Sequence, residues 1–163
     1  ILYNNVYGLR ACALRLTNTY GPRMRIKDAR QTFLGVWVRL AVEGRPFEVW
    51  GGEQKRDFTY GEDCADARML AAERPETDGR IFNLGGDGIV SLTELAEMLI
   101  AANGGGRFEV HEFPAERKRI DIGDYYADDA LFRETVGWRP ATPLAAGLAA
   151  TLAYYRETLP RYL

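Results

Sequence analysis

The chain has 163 residues, enough for one sizeable core and too few for two large independent domains. Apolar residues make up 47% and charged residues 27%, ordinary values for a soluble globular domain, and a net charge of -2 gives no electrostatic basis for nucleic-acid or anionic-membrane binding. No apolar run approaches a membrane span and nothing at the start reads as a signal peptide, so neither nucleic acid nor membrane is an expected partner. Two cysteines, Cys12 and Cys64, suit buried thiols in a reducing cytoplasm, and the single histidine, His111, rules out a His-rich metal site, so no metal is expected.

In chain order, residues 1–7 read as the end of a helix closed by Gly8, and the absence of an initial methionine suggests a piece cut from a longer protein. A strand over Ala11–Leu16 runs out near Asn18, and the charged loop 21–30 follows. Phe33, Val36, Trp37 and Leu40 recur at helical spacing until Gly44 and Pro46 stop the helix. Phe47–Trp50 and Arg56–Tyr60 read as short strands separated by a Gly-Gly turn. Asp63 is placed to cap a helix reaching Glu73, with Ala67, Leu70 and Ala71 on its inner face.

The strand Arg80–Leu84 ends at Gly85-Gly86. Ser91 and Glu94 form a capping box before Leu95, Met98 and Leu99, and Gly104-Gly105-Gly106 closes that helix before a strand over Phe108–Phe113. A basic stretch around Lys118 leads to a short helix ending at Gly137. Pro143 opens a last helix with Leu144, Leu148, Leu152 and Tyr155 on one stripe. One compact unit is expected, in which the strands near Ala11 and Arg80 lack some sheet partners. The run Gly86-Asp87-Gly88-Ile89-Val90-Ser91 loosely mimics a dinucleotide fingerprint, but Ser91 is already committed as an N-cap.

Four segments carry a resemblance: Arg15-Leu16-Thr17-Asn18-Thr19-Tyr20-Gly21-Pro22-Arg23, Val49-Trp50-Gly51-Gly52, Arg56-Asp57-Phe58-Thr59-Tyr60 with Asp63, and Phe82-Asn83-Leu84-Gly85-Gly86. Over nearly the whole chain they resemble the C-terminal part of the NAD-dependent nucleotide-sugar epimerases and dehydratases, the extended short-chain dehydrogenase family. The implied fold is α/β: the C-terminal part of a Rossmann-like enzyme, mainly its small mixed α/β substrate-binding domain. Residues 1–163 form that portion, with segments near 1–20 and 80–85 at the edge of an N-terminal NAD-binding Rossmann domain.

The resemblance assigns roles, each with a plainer alternative. Arg56 would hold the diphosphate of a nucleotide sugar, because a guanidinium fork matches two phosphate oxygens; otherwise it pairs with Asp57 or Asp63. Val49 and Trp50 would meet the nucleobase, with Trp50 standing where relatives usually carry tyrosine; otherwise Trp50 is core beside a Gly-Gly hairpin. Asn18 and Asn83 would approach the diphosphate, Asn18 being able to donate and accept at once. Otherwise Asn18 merely closes a turn. Leu16 and Thr17 would line the NAD cofactor. Thr32 and Phe33 open a helix whose amides can meet phosphate. Lys118 would contact phosphate and Asp121 the ribose hydroxyls, unless both belong to a solvated basic loop.

The Tyr-x-x-x-Lys pair of the family has no counterpart here, and its Gly-rich loop lies outside this stretch. No catalytic residue is therefore expected within the chain, which by itself would be inactive. In the full-length protein, expected to be cytoplasmic and a candidate homodimer, a UDP- or dTDP-sugar would react through a 4-keto intermediate. Arg23, Met24, Asp28 and Arg30 add a likeness to UDP-glucuronate decarboxylases. A non-catalytic sugar-nucleotide-binding protein of the same fold, or a reductase acting on a flavonoid-like or steroid substrate, are the rivals.

Overall fold

The computed structural model describes residues 2–29, 32–113 and 122–163. Helix α1 (Leu2–Tyr7) buries none of its residues and ends at Gly8, whose φ of +65° is the left-handed conformation that glycine adopts without a Cβ penalty. Strand β1 (Ala13–Leu16) runs parallel to β5 (Ile81–Leu84), in the register Ala13↔Ile81 to Leu16↔Leu84. The two strands expected to lack partners therefore have each other. At Thr17 the chain changes sheets, and β2 (Asn18–Tyr20) runs parallel to β4 (Lys55–Tyr60), which pairs on its other side with antiparallel β6 (Ile89–Ser91). Asn18 thus opens a new strand rather than trailing an old one.

Strand β3 (Phe47–Trp50) does not form a hairpin with β4; it pairs in parallel with β7 (Phe108–His111). The glycines between β3 and β4 carry the chain from one sheet to another, with φ of +81° at Gly51 and +91° at Gly52. Helix α2 (Phe33–Val42) begins at Thr32, whose hydroxyl accepts from Leu34 N at 3.2 Å. Helix α3 (Gly61–Glu73) starts earlier than expected, and Asp63 is not its cap. The Asp63 carboxylate instead accepts Ala141 N at 3.0 Å and Thr142 N at 3.1 Å, satisfying main chain that no sheet or helix serves.

Helix α4 (Leu92–Asn103) has the full capping box: Ser91 Oγ accepts from Glu94 N at 3.2 Å, and Glu94 Oε2 accepts from Ser91 N at 2.7 Å. Ser91 therefore serves as a cap and not as the third small residue of a phosphate-binding loop. Helices α5 (Ala130–Val136) and α6 (Leu144–Thr158) follow.

Among the described residues the buried apolar side chains fall into two clusters. The larger joins Leu34 and Val38 of α2, Leu95 and Leu99 of α4, and Leu148 and Leu152 of α6, packed against Phe47, Val49 and Phe58. The smaller joins Cys64, Ala67 and Ala71 of α3 to Phe82, Leu84, Phe132 and Trp138. Each fully buried leucine contributes about 1.5–3 kcal/mol, so the helix stripes rather than helix propensity hold these layers together. Strand β4 lies against the larger cluster, while β1 and β5 lie against the smaller.

Candidate functional site

Phe33, Val36, Trp37 and Leu40, the residues at helical spacing in α2, form one wall of a cleft of about 640 Å³. The helical repeat that puts them on one face of α2 aims that face at the edge of β3. Trp37 fixes the wall, since its ring lies 5.0 Å from Phe47 and 4.8 Å from Phe33, and its Nε1 donates to Glu48 O at 3.1 Å. Glu48, Trp50, Gln54 and Arg56 line the other side.

Val49 is fully buried and does not line the cleft. Gly51 N donates to His111 O at 2.9 Å, so by strand alternation Val49 also turns its main chain toward β7, and Glu48 and Trp50 turn theirs toward the cleft. The main-chain groups of Val49 are therefore engaged with β7. Trp50 is 37% exposed, with its ring 5.1 Å from that of His111, and is neither core nor beside a hairpin.

Arg56 is 9% exposed and lines the cleft. Its Nη1 donates to Lys55 O at 2.8 Å and to Gly123 O. Neither Asp57 nor Asp63 pairs with it, because both carboxylates accept main-chain N–H groups elsewhere. The segment around Gly123 is stitched along β4: Lys55 N donates to Asp124 Oδ1 at 2.8 Å, and Tyr125 N donates to Lys55 O at 3.0 Å.

A second group gathers at the carboxyl ends of β1 and β5, where open α/β sheets place ligand-contacting residues. Leu16 faces Leu84 in the pair; Thr17 N donates to Leu84 O at 3.2 Å. Asn18 Nδ2 donates to Asp57 O at 3.0 Å, and Asn83 Nδ2 donates to Asp128 O at 3.3 Å. Asn83 is exposed and does not line the aromatic cleft. Thr32 is committed to capping α2, while Phe33 lies in the cleft wall. Lys118 and Asp121 lie outside the described residues.

The sequence pattern does not mark Asp57 as a site residue. It is 1% exposed, and its Oδ2 accepts Gly86 N at 3.3 Å and Ala127 N at 3.2 Å. Burial pushes its carboxyl above the usual carboxylate range; the N–H groups of Ala127 and Gly86 and the nearby Thr17 hydroxyl pull back against that. Thr17 Oγ1 makes its own bond to Leu84 O, at 3.4 Å. The available sequence signal is the Gly85-Gly86 pair, since a Cβ on Gly85 would sit 2.3 Å from Asp57 Oδ2 and one on Gly86 would sit 1.9 Å from Phe58 O. Among the described residues no cluster of histidine, cysteine or carboxylate side chains could hold a metal ion, and no helix is long and apolar enough to cross a membrane.

The fold is that of a mixed α/β protein of the Rossmann-like extended short-chain dehydrogenase type. The chain belongs to the NAD dependent epimerase/dehydratase family, whose sequence model matches residues 1–85. It is 28% identical to GDP-mannose 3,5-epimerase of Arabidopsis thaliana over 98% of its length and 41% of that protein. It is 31% identical to dTDP-glucose 4,6-dehydratase of Streptomyces griseus over 93% of its length and 44% of that protein. Among solved structures, UDP-glucose 4-epimerase of Thermotoga maritima with UDP-glucose superposes with a TM-score of 0.85 at 27% identity, covering 97% of this chain and 50% of that one. The chain thus spans about half the length of the proteins it matches.

Proposed function

We propose that this chain supplies the nucleoside-diphosphate-sugar side of the site in an NAD-dependent epimerase or dehydratase. One observation carries this: a nearly buried guanidinium, Arg56, lines a cleft of nucleotide size walled by aromatic rings. Arg56 takes the diphosphate, with Asn18, Asn83 and Lys118 completing the anion's shell. The base lies between the α2 wall and Trp50, read by main-chain groups of Glu48 and Trp50 on either side of Val49. Asp121 takes the ribose diol, and the Thr32–Phe33 helix start faces the phosphate side.

Residues 1–20 and 80–85 form the edge of a cofactor-binding sheet, so the rest of a Rossmann domain pairs with the β1–β5 unit. NAD suits the carboxyl ends of these strands, where Leu16 and Thr17 would line it; when bound it accepts hydride from a sugar carbon and returns it. This chain's own residues bind and orient the sugar nucleotide. The proton-transfer pair belongs to the remainder of the protein, so the 163-residue chain alone does not turn over.

The relatives' names carry three different nucleoside diphosphates, GDP, UDP and dTDP. Calorimetric titration of the full-length protein with UDP-, dTDP- and GDP-sugars tests the reading, followed by product analysis for an epimer, a 4-keto-6-deoxy sugar or a decarboxylated pentose. Binding of one of them, lost on Arg56→Ala, is the expected result. Failure of every sugar nucleotide to bind overturns it.

A further inference from the structure

We propose that Asp57 is a positioning residue that registers the sugar-nucleotide cleft against the cofactor-side strands β1 and β5. This rests on the function proposed above. Along β4, successive side chains point to opposite faces, so Arg56 lines the cleft and Asp57 points away from it. What Asp57 meets there is the junction of four segments. Its Oδ2 takes the N–H of Gly86, which lies just beyond β5, and the N–H of Ala127. Its own carbonyl takes Asn18 Nδ2, at the step from β1 to β2.

Two of those contacts lead to residues assigned to the ligand: Asn18 directly, and Arg56 and Asn83 through the segment around Ala127. The segment that Asp57 pins at Ala127 also carries Gly123, whose carbonyl accepts from Arg56 Nη1, and Asp128, whose carbonyl accepts from Asn83 Nδ2. Moving Ala127 away from β4 therefore moves the acceptors that orient Arg56 and Asn83 together. The close glycine turn at Gly85 and Gly86 leaves no room for a larger side chain, so the carboxylate is boxed in from the β5 side.

A carboxylate at 1% exposure is a costly way to join strands, because desolvating the charge opposes folding. Its acceptor geometry is what an apolar side chain could not reproduce: one oxygen collects two amides from segments far apart in sequence.

Asp63 provides the internal control. It is also buried and also accepts two main-chain N–H groups, from Ala141 and Thr142, but it touches none of the proposed ligand residues. In the full-length protein, Asp57→Leu keeps much of the bulk while removing the oxygen that accepts both amides. The expected result is a loss of sugar-nucleotide affinity and of kcat by about tenfold or more each, since a displacement of the order of 1 Å is worth up to about 100-fold. Asp63→Leu should lower the melting temperature and leave affinity and kcat unchanged. Equal kinetic effects from the two variants, or wild-type kinetics in Asp57→Leu, overturn the proposal.

Amide exchange on the wild-type protein provides a second measurement that requires no variant. Gly86 and Ala127 amides should be protected as strongly as those of β4, and rapid exchange at both overturns the proposal. If no sugar nucleotide binds the wild type, the function reading fails and the exchange data alone decide the role of Asp57.

Discussion

Gly147 lies inside α6, where helix propensity alone says that alanine would stabilise the protein by about 1 kcal/mol. The structure reverses that sign. A Cβ on Gly147 would stand 2.0 Å from Tyr20 Oη, 2.8 Å from Tyr20 Cζ and 3.0 Å from Tyr60 Cδ2. Tyr20 is 2% exposed and its hydroxyl donates to Leu144 O at 3.2 Å, so the ring has no empty space to enter. Overpacking a well-filled core costs about 1–3 kcal/mol, and pulling the buried hydroxyl from its acceptor costs about 1–3 kcal/mol more.

Set against the propensity gain, Gly147→Ala should destabilise by about 1–5 kcal/mol, or roughly 2–20 °C in melting temperature for a chain of this size. Urea denaturation followed by tryptophan fluorescence measures it. Adding Tyr20→Phe removes the closest atom, so the double variant should be less destabilised than the sum of the singles. A neutral or stabilising Gly147→Ala would refute the packing argument. The site is involved as well, because Tyr20 lies in the same short strand as Asn18.

Arg56→Lys should weaken sugar-nucleotide binding by about 10–100-fold in calorimetry, since an ammonium group cannot copy the bidentate fork or reach Gly123 O at the same time; unchanged affinity would contradict the phosphate role. Ser91→Ala should cost about 1 kcal/mol of stability by urea titration, as expected for loss of an N-cap. The Ser91 N–H and hydroxyl hold the Glu94 carboxyl below its usual value. Its folded value being depressed, the capping-box contribution is present above the unfolded Glu range and lost as pH falls through the folded value. Stability of Glu94→Gln should therefore depend less steeply on acidification than that of the wild type, which parallel melts across the acid range would show.

The cleft wall is legible in the sequence alone, because a 3.6-residue repeat in Phe33, Val36, Trp37 and Leu40 needs only local geometry to share a face. Arg56 and Trp50 are legible because motif spacing marks them, and the capping box at Ser91 and Glu94 because its hydrogen bonds close within four residues. Pairing is not. Whether β3 joins β4 or β7 depends on which strand edges meet after some sixty intervening residues have packed, and a glycine turn is compatible with either. The same holds for the polar side chains. Asp63 has the spacing of a helix cap and Asp57 that of an arginine partner, but each is claimed by main-chain N–H groups that only the folded chain brings near.

Local patterning thus determined the helices, most of the strands and the aromatic wall of the cleft. Tertiary structure decided strand partners, the turn of Val49 away from the cleft, and the convergence of Gly86 and Ala127 on one carboxylate oxygen. Hydrogen-bond satisfaction of buried groups is a property of the whole packed molecule, and no window of sequence contains its terms.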